Sequence, residues 1–274
     1  MSASLLHKIN QVPSYLSTRI ERWIFLWKGL FALWPKLESR GLYVASIVGL
    51  LKNNRIYTYS YKNGMQISFR AGTHDTQIHV EIFGNETYAK QIAGDITRMK
   101  RCIDLGAQTG VFTLYLLSKN KDLRVVSVEA IAENLALART NIEQNGFSRQ
   151  VQVLHRAAWG KSGDTLLMHI SGVNTGGHSA VRSGHGYTDG ERVETISLKD
   201  IVGGQPVDLL KLDIEGAEYE VLNNADGETL SQVAEIIMEL HGTPEQNDAL
   251  ARHLSRNGFA LRQKPGYMSA VKTV

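Results

Sequence analysis

The chain has 274 residues, with 30 basic and 27 acidic side chains, a formal charge of +3 and 43% apolar residues. That length can bury a full core, either as one large domain or as one domain with an appendage. Charges so evenly matched do not point to a nucleic-acid partner. The single cysteine, Cys102, excludes a disulfide framework and a Cys-based zinc site, and suits a reducing, cytoplasmic compartment.

The segment from Met1 to Ser14 lacks a compact apolar core and a small-residue cleavage site, so no signal peptide is expected. Residues 1–54 read as a helical extension. Leu16, Ile20, Trp23, Ile24, Trp27, Leu30, Phe31 and Trp34 follow an i, i+3, i+4 rhythm, and Pro35 marks its end. Basic residues Arg19, Arg22, Lys28, Lys36, Arg40 and Lys52 outnumber Glu21 and Glu38. Two roles fit this pattern. The apolar face covers the main domain, caps a substrate or meets a second copy in a homo-oligomer. Alternatively, 16–52 lies on an anionic membrane surface as a peripheral contact, with Trp and Lys/Arg at the interface. Gly41 to Leu51 is apolar or small throughout, but it is too short to span a bilayer, which needs roughly 20 residues.

Residues 55–100 contain a hairpin and a connecting segment. Ile56 to Tyr61 alternates, Asn63-Gly64 predicts a type I′ turn, and Met65, Ile67 and Phe69 alternate again. Tyr57, Tyr59 and Tyr61 share one face, a pattern of sheet packing more than of ligand binding. From 101 to 274 strand and helix alternate. Strands are expected at 101–105, 124–129, 150–155, 207–213 and 234–240, with helices near 110–119, 131–145 and 216–224. Short strands fit 165–170 and 192–196. Thr243-Pro244-Glu245-Gln246 has the features of a capped helix start, predicting a helix over 244–256. Phe259–Arg262 and Met268–Lys272 suggest a final antiparallel pair. Such alternation implies an α/β fold, a mostly parallel sheet with helices on both faces. The Gly-rich stretch from Ser171 to Gly190 suits a mobile loop over a site.

The chemistry gathers at the strand ends. Asp104-Leu-Gly-Ala-Gln-Thr-Gly110 sits between an apolar strand and a helix start. Gly106 and Gly110 allow a tight turn and a close ligand, and free N–H groups at the helix start favour a carboxylate. Gln108 and Val111 stand where a nicotinamide or flavin fingerprint needs glycine. An acid ahead of the turn suits a ligand with both an ammonium and a carboxylate. S-adenosylmethionine (SAM) carries both and has no pyrophosphate. Glu129 follows roughly 20 residues later, the spacing at which an acid meets a ribose diol. Ala157-Ala158-Trp159, small then flat, could flank an adenine. The fourth strand ends in Asp213, followed by Glu215, and the fifth in Glu239, followed by His241.

The runs Ile103 to Gly110, Val128-Glu129-Ala130, Leu210 to Glu218 and Ile237 to His241 resemble the FkbM family of SAM-dependent methyltransferases, as does Asn174 to Ser179. The likeness covers roughly residues 75–245, and Asp213-Ile-Glu-Gly-Ala-Glu218 is its most specific part. It implies a class I methyltransferase sheet, Rossmann-like, of seven strands with an antiparallel pair at the end. It implies methylation of a hydroxyl on a sugar, glycolipid or natural product. The expected cofactor contacts are Asp104, Gly106, Ala107, Gln108, Thr109, Gly110, Glu129, Ala158 and Asp213. Asp213, Glu239 and His241 are the candidate catalytic residues, because their strand ends should flank the methyl group. His241, with an ordinary pKa of about 6.5, suits a base near neutrality. Glu215 and His178 are candidate substrate contacts, and Asp75 to Tyr88 could close over the cofactor. A divalent metal on Asp213, Glu239 and His241 is the disfavoured variant, since no dedicated ligand cluster stands out. A non-catalytic SAM-binding or partner-docking protein of the same fold is the competing function.

Overall fold

The structure, a computed structural model, describes residues 24–171, 179–181 and 187–273. A hairpin pairs β1 (Ile56–Ser60) with β2 (Gln66–Arg70). Then come β3 (Arg101–Leu105), β4 (Arg124–Glu129), β5 (Val151–His155), β6 (Ala157–Trp159), β7 (Thr165–Ser171) and β8 (Tyr187–Ser197). The chain ends with β9 (Leu209–Leu212), β10 (Glu235–Glu239), β11 (Phe259–Lys264) and β12 (Tyr267–Lys272).

Seven of these strands form the central sheet in the order β11-β12-β10-β9-β3-β4-β5. Neighbours are parallel except at β12, which runs against both β10 and β11. The apolar β3, β9 and β10 lie at its middle, as strands buried on both faces should. Starting at β3 the chain steps outward to β4 and β5, then returns to β9 on the other side of β3. That reversal places a crevice at the carboxyl ends of β3 and β9, where open α/β sheets bind ligands. The fold is the α/β class I architecture that the sequence implied, including the antiparallel end. β6, β7 and β8 form a smaller sheet beside it, and β7 and β8 run closer to the Gly-rich stretch than expected. Of that stretch, 172–178 and 182–186 lie outside the described residues, and with them His178.

Helices cover both faces. On one, α3 (Val111–Lys119) and α4 (Ala132–Gln144) pack with the hairpin and the N-terminal segment in a core running from Leu26 through Tyr59 and Phe69 to Leu114 and Leu117. On the other, α5 (Glu218–Asn223) and α6 (Pro244–Arg256) pack through Leu222, Leu250 and Leu254. The capping box read from Thr243 and Gln246 is present at the start of α6.

The N-terminal helix α1, described over 24–32, is held by Leu26 and Leu33, and the Tyr43 hydroxyl donates to the Leu26 carbonyl at 2.7 Å. The apolar rhythm maps onto its buried face only in part: Leu30 and Trp34 pack against the core, and Leu16, Ile20 and Trp23 lie outside the described residues. Ile24, Trp27 and Phe31 point away from the core.

The hairpin turn also differs from the expected type I′. That turn needs left-handed backbone at both central residues, and only Gly64 has it, at φ +85°. Gly64 N–H donates to Tyr61 O at 2.9 Å and Tyr61 N–H to Met65 O at 2.9 Å, which closes a longer loop with a bulge at the glycine. The hairpin tyrosines pack as expected. Tyr59 stacks on Phe69 at 4.0 Å between ring centroids, and the Tyr61 hydroxyl meets His79 Nδ1 at 2.6 Å. Burial lowers the His79 pKa to about 4, so this imidazole is neutral.

A buried ion pair joins the hairpin to α2 (Asp75–His79). Arg70 donates to Asp75 from Nε at 2.9 Å, from Nη2 at 3.1 Å and from its backbone N–H at 2.9 Å. Burial alone would raise the Asp75 pKa, but Arg70 outweighs it and the carboxyl is held below its ordinary 3.8. A lowered pKa stabilises the fold above the unfolded value and loses that contribution as pH falls below it. Asp75→Ala is therefore expected to cost about 3–5 kcal/mol at neutral pH, because it strands a buried guanidinium. In urea unfolding the gap between wild type and variant should shrink below about pH 4.

Candidate active site

Lys211 organises the crevice. The strand register sets Lys211 of β9 directly beside Asp104 of β3. Its ammonium, 3% exposed as a residue, lies 3.2 Å from Asp104 Oδ1 and 3.7 Å from Asp213 Oδ2. It also donates to the Gly106 carbonyl at 2.8 Å. Burial opposes its charge, but Asp104 and Asp213 outweigh that, and the Lys211 pKa is raised. Lys211 stays charged.

This pairing fixes what Asp104 can do. Its Oδ2 accepts from Thr113 Oγ1 at 2.8 Å, and it is fully buried behind the crevice wall. The ammonium that Asp104 was expected to meet in a ligand is supplied by the protein itself. The glycine turn is pinned on its other side. Gly106 has φ +77°, and a Cβ there would sit 1.8 Å from the Asp213 carbonyl oxygen, so no other residue fits. Thr109 and Gly110 face α4, where Asn141 Nδ2 donates to Thr109 O at 2.9 Å. Only Gly106, Ala107 and Gln108 of the turn reach the cavity.

Gln108 adopts left-handed backbone, φ +49°, and three contacts hold it there. Its N–H donates to Glu129 Oε2 at 2.8 Å, its Nε2 donates to Asp75 Oδ1 at 2.9 Å, and its Oε1 accepts from Thr109 N–H at 2.6 Å. The amide thereby connects the turn to the Arg70–Asp75 pair. Glu129 ends β4 on the cavity wall, and its Oε1 accepts from Ile131 N–H at 2.8 Å. Burial raises its pKa, against the pull of these backbone bonds. The Asn134 side chain bonds the same carboxylate, and with two lone-pair directions on each oxygen Glu129 keeps one acceptor direction beyond these three partners. Ala158 lines the same side, while Trp159, the expected flat neighbour, does not reach it.

The cavity has a volume of about 390 Å³, within the range of small-molecule sites. Its second half is acidic. Asp213 and Glu239, at the ends of β9 and β10, both line it and share the Tyr88 hydroxyl, at 2.8 Å and 3.2 Å. Glu81 joins them from a π-helical turn, Val80–Gly84, and accepts from the Tyr267 hydroxyl at 3.3 Å. Burial first, then Asp213, pushes the Glu81 pKa from 4.5 up to about 7. Burial and Asp213 raise Glu239 as well.

His241 is placed differently from its sequence reading. It stands behind Glu239 and Glu215 and does not line the cavity. Its Nδ1 meets Glu218 Oε1 at 2.9 Å, and its Nε2 lies 3.7 Å from Glu215 and 3.9 Å from Glu239. Burial opposes protonation, but Glu218 and Glu215 outweigh it and raise the pKa. An imidazole held protonated balances charge and is a poor base at neutral pH. Glu218, fully buried, also accepts from Ile214 N–H and Gly216 N–H, each at 2.9 Å. It therefore shapes the turn that carries Glu215 to the cavity. Asp213, Glu239 and His241 bring one ligand atom each within 4.8 Å of one another, a cluster that could also hold a cation.

Sequence reasoning had not singled out Lys211, Glu81 or Glu218 for a role. Each depends on a partner that only the folded chain supplies. A raised carboxyl pKa means that the charged form is disfavoured in the fold. Stability is then greatest below the unfolded value and falls as pH rises towards about 7. Glu81→Gln is expected to stabilise the protein by on the order of 2 kcal/mol at pH 8 and by almost nothing at pH 4, measured by urea unfolding.

A family model described as a methyltransferase FkbM domain matches residues 104–261. The chain is 25% identical over 205 residues to Methyltransferase 1 of Beauveria bassiana, covering 67% of this chain and 80% of that protein. It is 24% identical over 227 residues to the AMB antimetabolite synthetase AmbE of Pseudomonas aeruginosa, covering 67% of this chain but 10% of AmbE. A crystal structure of methyltransferase FkbM from Methylobacillus flagellatus aligns at 15% identity with a TM-score of 0.44, over 72% of this chain and 53% of that one. The chain thus spans only a small part of AmbE and about half of the crystallised protein.

Proposed function

The chain belongs to the FkbM methyltransferase family, and we propose that it transfers the methyl group of SAM to a hydroxyl of a sugar, glycolipid or other hydroxylated small molecule. The observation that carries this reading is the division of one cavity into two halves. Gly106, Gln108 and Glu129 form a backbone-rich wall, and Glu81, Asp213 and Glu239 form an acidic one.

The first wall fits SAM. Glu129 has spare acceptor capacity for a ribose diol, the Gly106–Gln108 turn allows close approach, and Ala158 leaves room for a base. SAM, when bound, supplies an electrophilic methyl group on a sulfonium. The chain's own residues then position an acceptor and accept its proton. Glu239 takes that proton, because its raised pKa lies nearer neutrality than that of an ordinary carboxylate. Tyr88 orients Asp213 and Glu239. His241, held by Glu218, offsets the negative charge of Glu215 and Glu239. That balance makes the imidazolium, not a divalent metal, the counter-charge in this proposal. Glu215 lines the cavity and is assigned to the acceptor side.

Formation of S-adenosylhomocysteine across a panel of hydroxylated acceptors tests the proposal. Glu239→Gln should lower kcat by about 100-fold or more while leaving SAM affinity within a few-fold, and a chelator should not change the rate. Full turnover in Glu239→Gln removes the base assignment. Loss of activity in chelator, restored by a divalent ion, transfers the counter-charge to a metal. SAM binding without turnover on any acceptor would favour a non-catalytic SAM-binding protein.

A further inference from the structure

One side of the cavity comes from α1, α2 and the π-helical turn. Phe25 of α1 and Gln77 and Ile78 of α2 line it, and the turn adds Glu81 and Ile82. Positions 77 and 78 lie one turn before 81 and 82, so the four share one face. In the turn Asn85 N–H donates to Val80 O at 2.7 Å, five residues back. Such wide turns are rare and recur at functional sites. α1 lies directly on this turn, because a Cβ at Gly29 would come within 2.7 Å of the Val80 side chain. Phe25, one helical turn before Gly29, is thereby set on the cavity wall.

The chemistry of this wall restricts what it can hold. Phe25, Ile78 and Ile82 are apolar, and Phe112 at the start of α3 continues the surface. The Tyr88 and Tyr267 hydroxyls are already given to carboxylates. Among the described residues, Lys211 and Arg156 are the lysine and arginine that line the cavity. Lys211 is held by Asp104 and Asp213, and Arg156 lies 3.1 Å from Glu194, beside Ala157 and Ala158. An anionic acceptor would therefore meet Glu81, Asp213 and Glu239 with its charge unmatched. A free sugar would set its hydroxyls against three apolar side chains that offer them no hydrogen bond. We propose that the acceptor is an uncharged alcohol on an apolar skeleton, with the skeleton against Phe25, Ile78 and Ile82 and the hydroxyl towards Asp213 and Glu239. This rests on the methyl-transfer reading and narrows it. Aliphatic and aromatic alcohols and alkyl-linked sugars fit the wall, whereas free sugars and sugar phosphates do not.

S-adenosylhomocysteine formation from matched acceptors tests this, using free sugars, their phosphates, their octyl glycosides, and long-chain and aromatic alcohols. For the best of the octyl glycosides and alcohols, kcat/KM should exceed that of any free sugar by about tenfold or more, with the sugar phosphates poorest. Phe25→Ala and Ile78→Thr should each raise KM for that acceptor by about tenfold, with kcat and SAM affinity within a few-fold of wild type. Thermal melting reports whether each variant is folded, and Ile78→Thr nearly preserves side-chain volume. The proposal is overturned if a free sugar or sugar phosphate is turned over as well as the apolar acceptors, or if both folded variants keep the wild-type KM. Either result leaves the methyl-transfer reading standing. SAM binding without turnover on any acceptor removes both.

Discussion

A charged lysine inside the sheet is the constraint on which the site depends. Lys211 belongs to an otherwise apolar strand, and burying an unpaired ammonium there would be costly. Asp104, its register neighbour, and Asp213, two residues on, make the burial tolerable. The same ammonium holds the Gly106 carbonyl, which turns the strand end into the wall of a cavity. The glycine itself is forced by the Asp213 carbonyl crossing beside it. One buried cation thus couples the two strands that flank the topological switch.

The two halves of the cavity follow from how charge is balanced around that cation. On the side of β3 and β4, backbone N–H groups and the Asn134 side chain hold Glu129 on the cavity wall. On the side of β9 and β10, carboxylates outnumber cations. Asp213 has Lys211 nearby, while Glu81 and Glu239 lean on tyrosine hydroxyls and are pushed towards neutral pH. His241 sits behind this group as a held cation. The result is an acidic wall whose carboxyls are held towards neutral pH, facing a wall built from the Gly106–Gln108 turn and Glu129.

Much of the architecture was legible in the sequence because it is written in local patterns. Apolar runs gave β3, β9 and β10, the capping box gave α6, and the alternation of strand and helix gave the parallel sheet. The glycine turn and the acids at the strand ends were visible for the same reason. Roles that depend on long-range pairing were not. Nothing local distinguishes Asp104 as the partner of a lysine more than a hundred positions away. His241 reads as a near-neutral base until Glu218 is found on its Nδ1. Gln108 reads as a cofactor contact, yet its amide reaches Asp75 and braces a left-handed backbone. Asn63-Gly64 carries a strong turn signal, but turn type is decided by the register of the strands it joins. In α1 the rhythm identifies a helix without saying which of its apolar residues face inward.

Among the described residues no helix is long and apolar enough to cross a membrane. The central claim concerns the cavity wall at Glu129. Isothermal titration with SAM, with NADH as a control, tests it directly on wild type and Glu129→Ala. The account predicts saturable binding of SAM, none of NADH, and loss of SAM binding in a folded Glu129→Ala variant. A folded wild type that does not bind SAM, or a Glu129→Ala variant that binds it equally well, would contradict it.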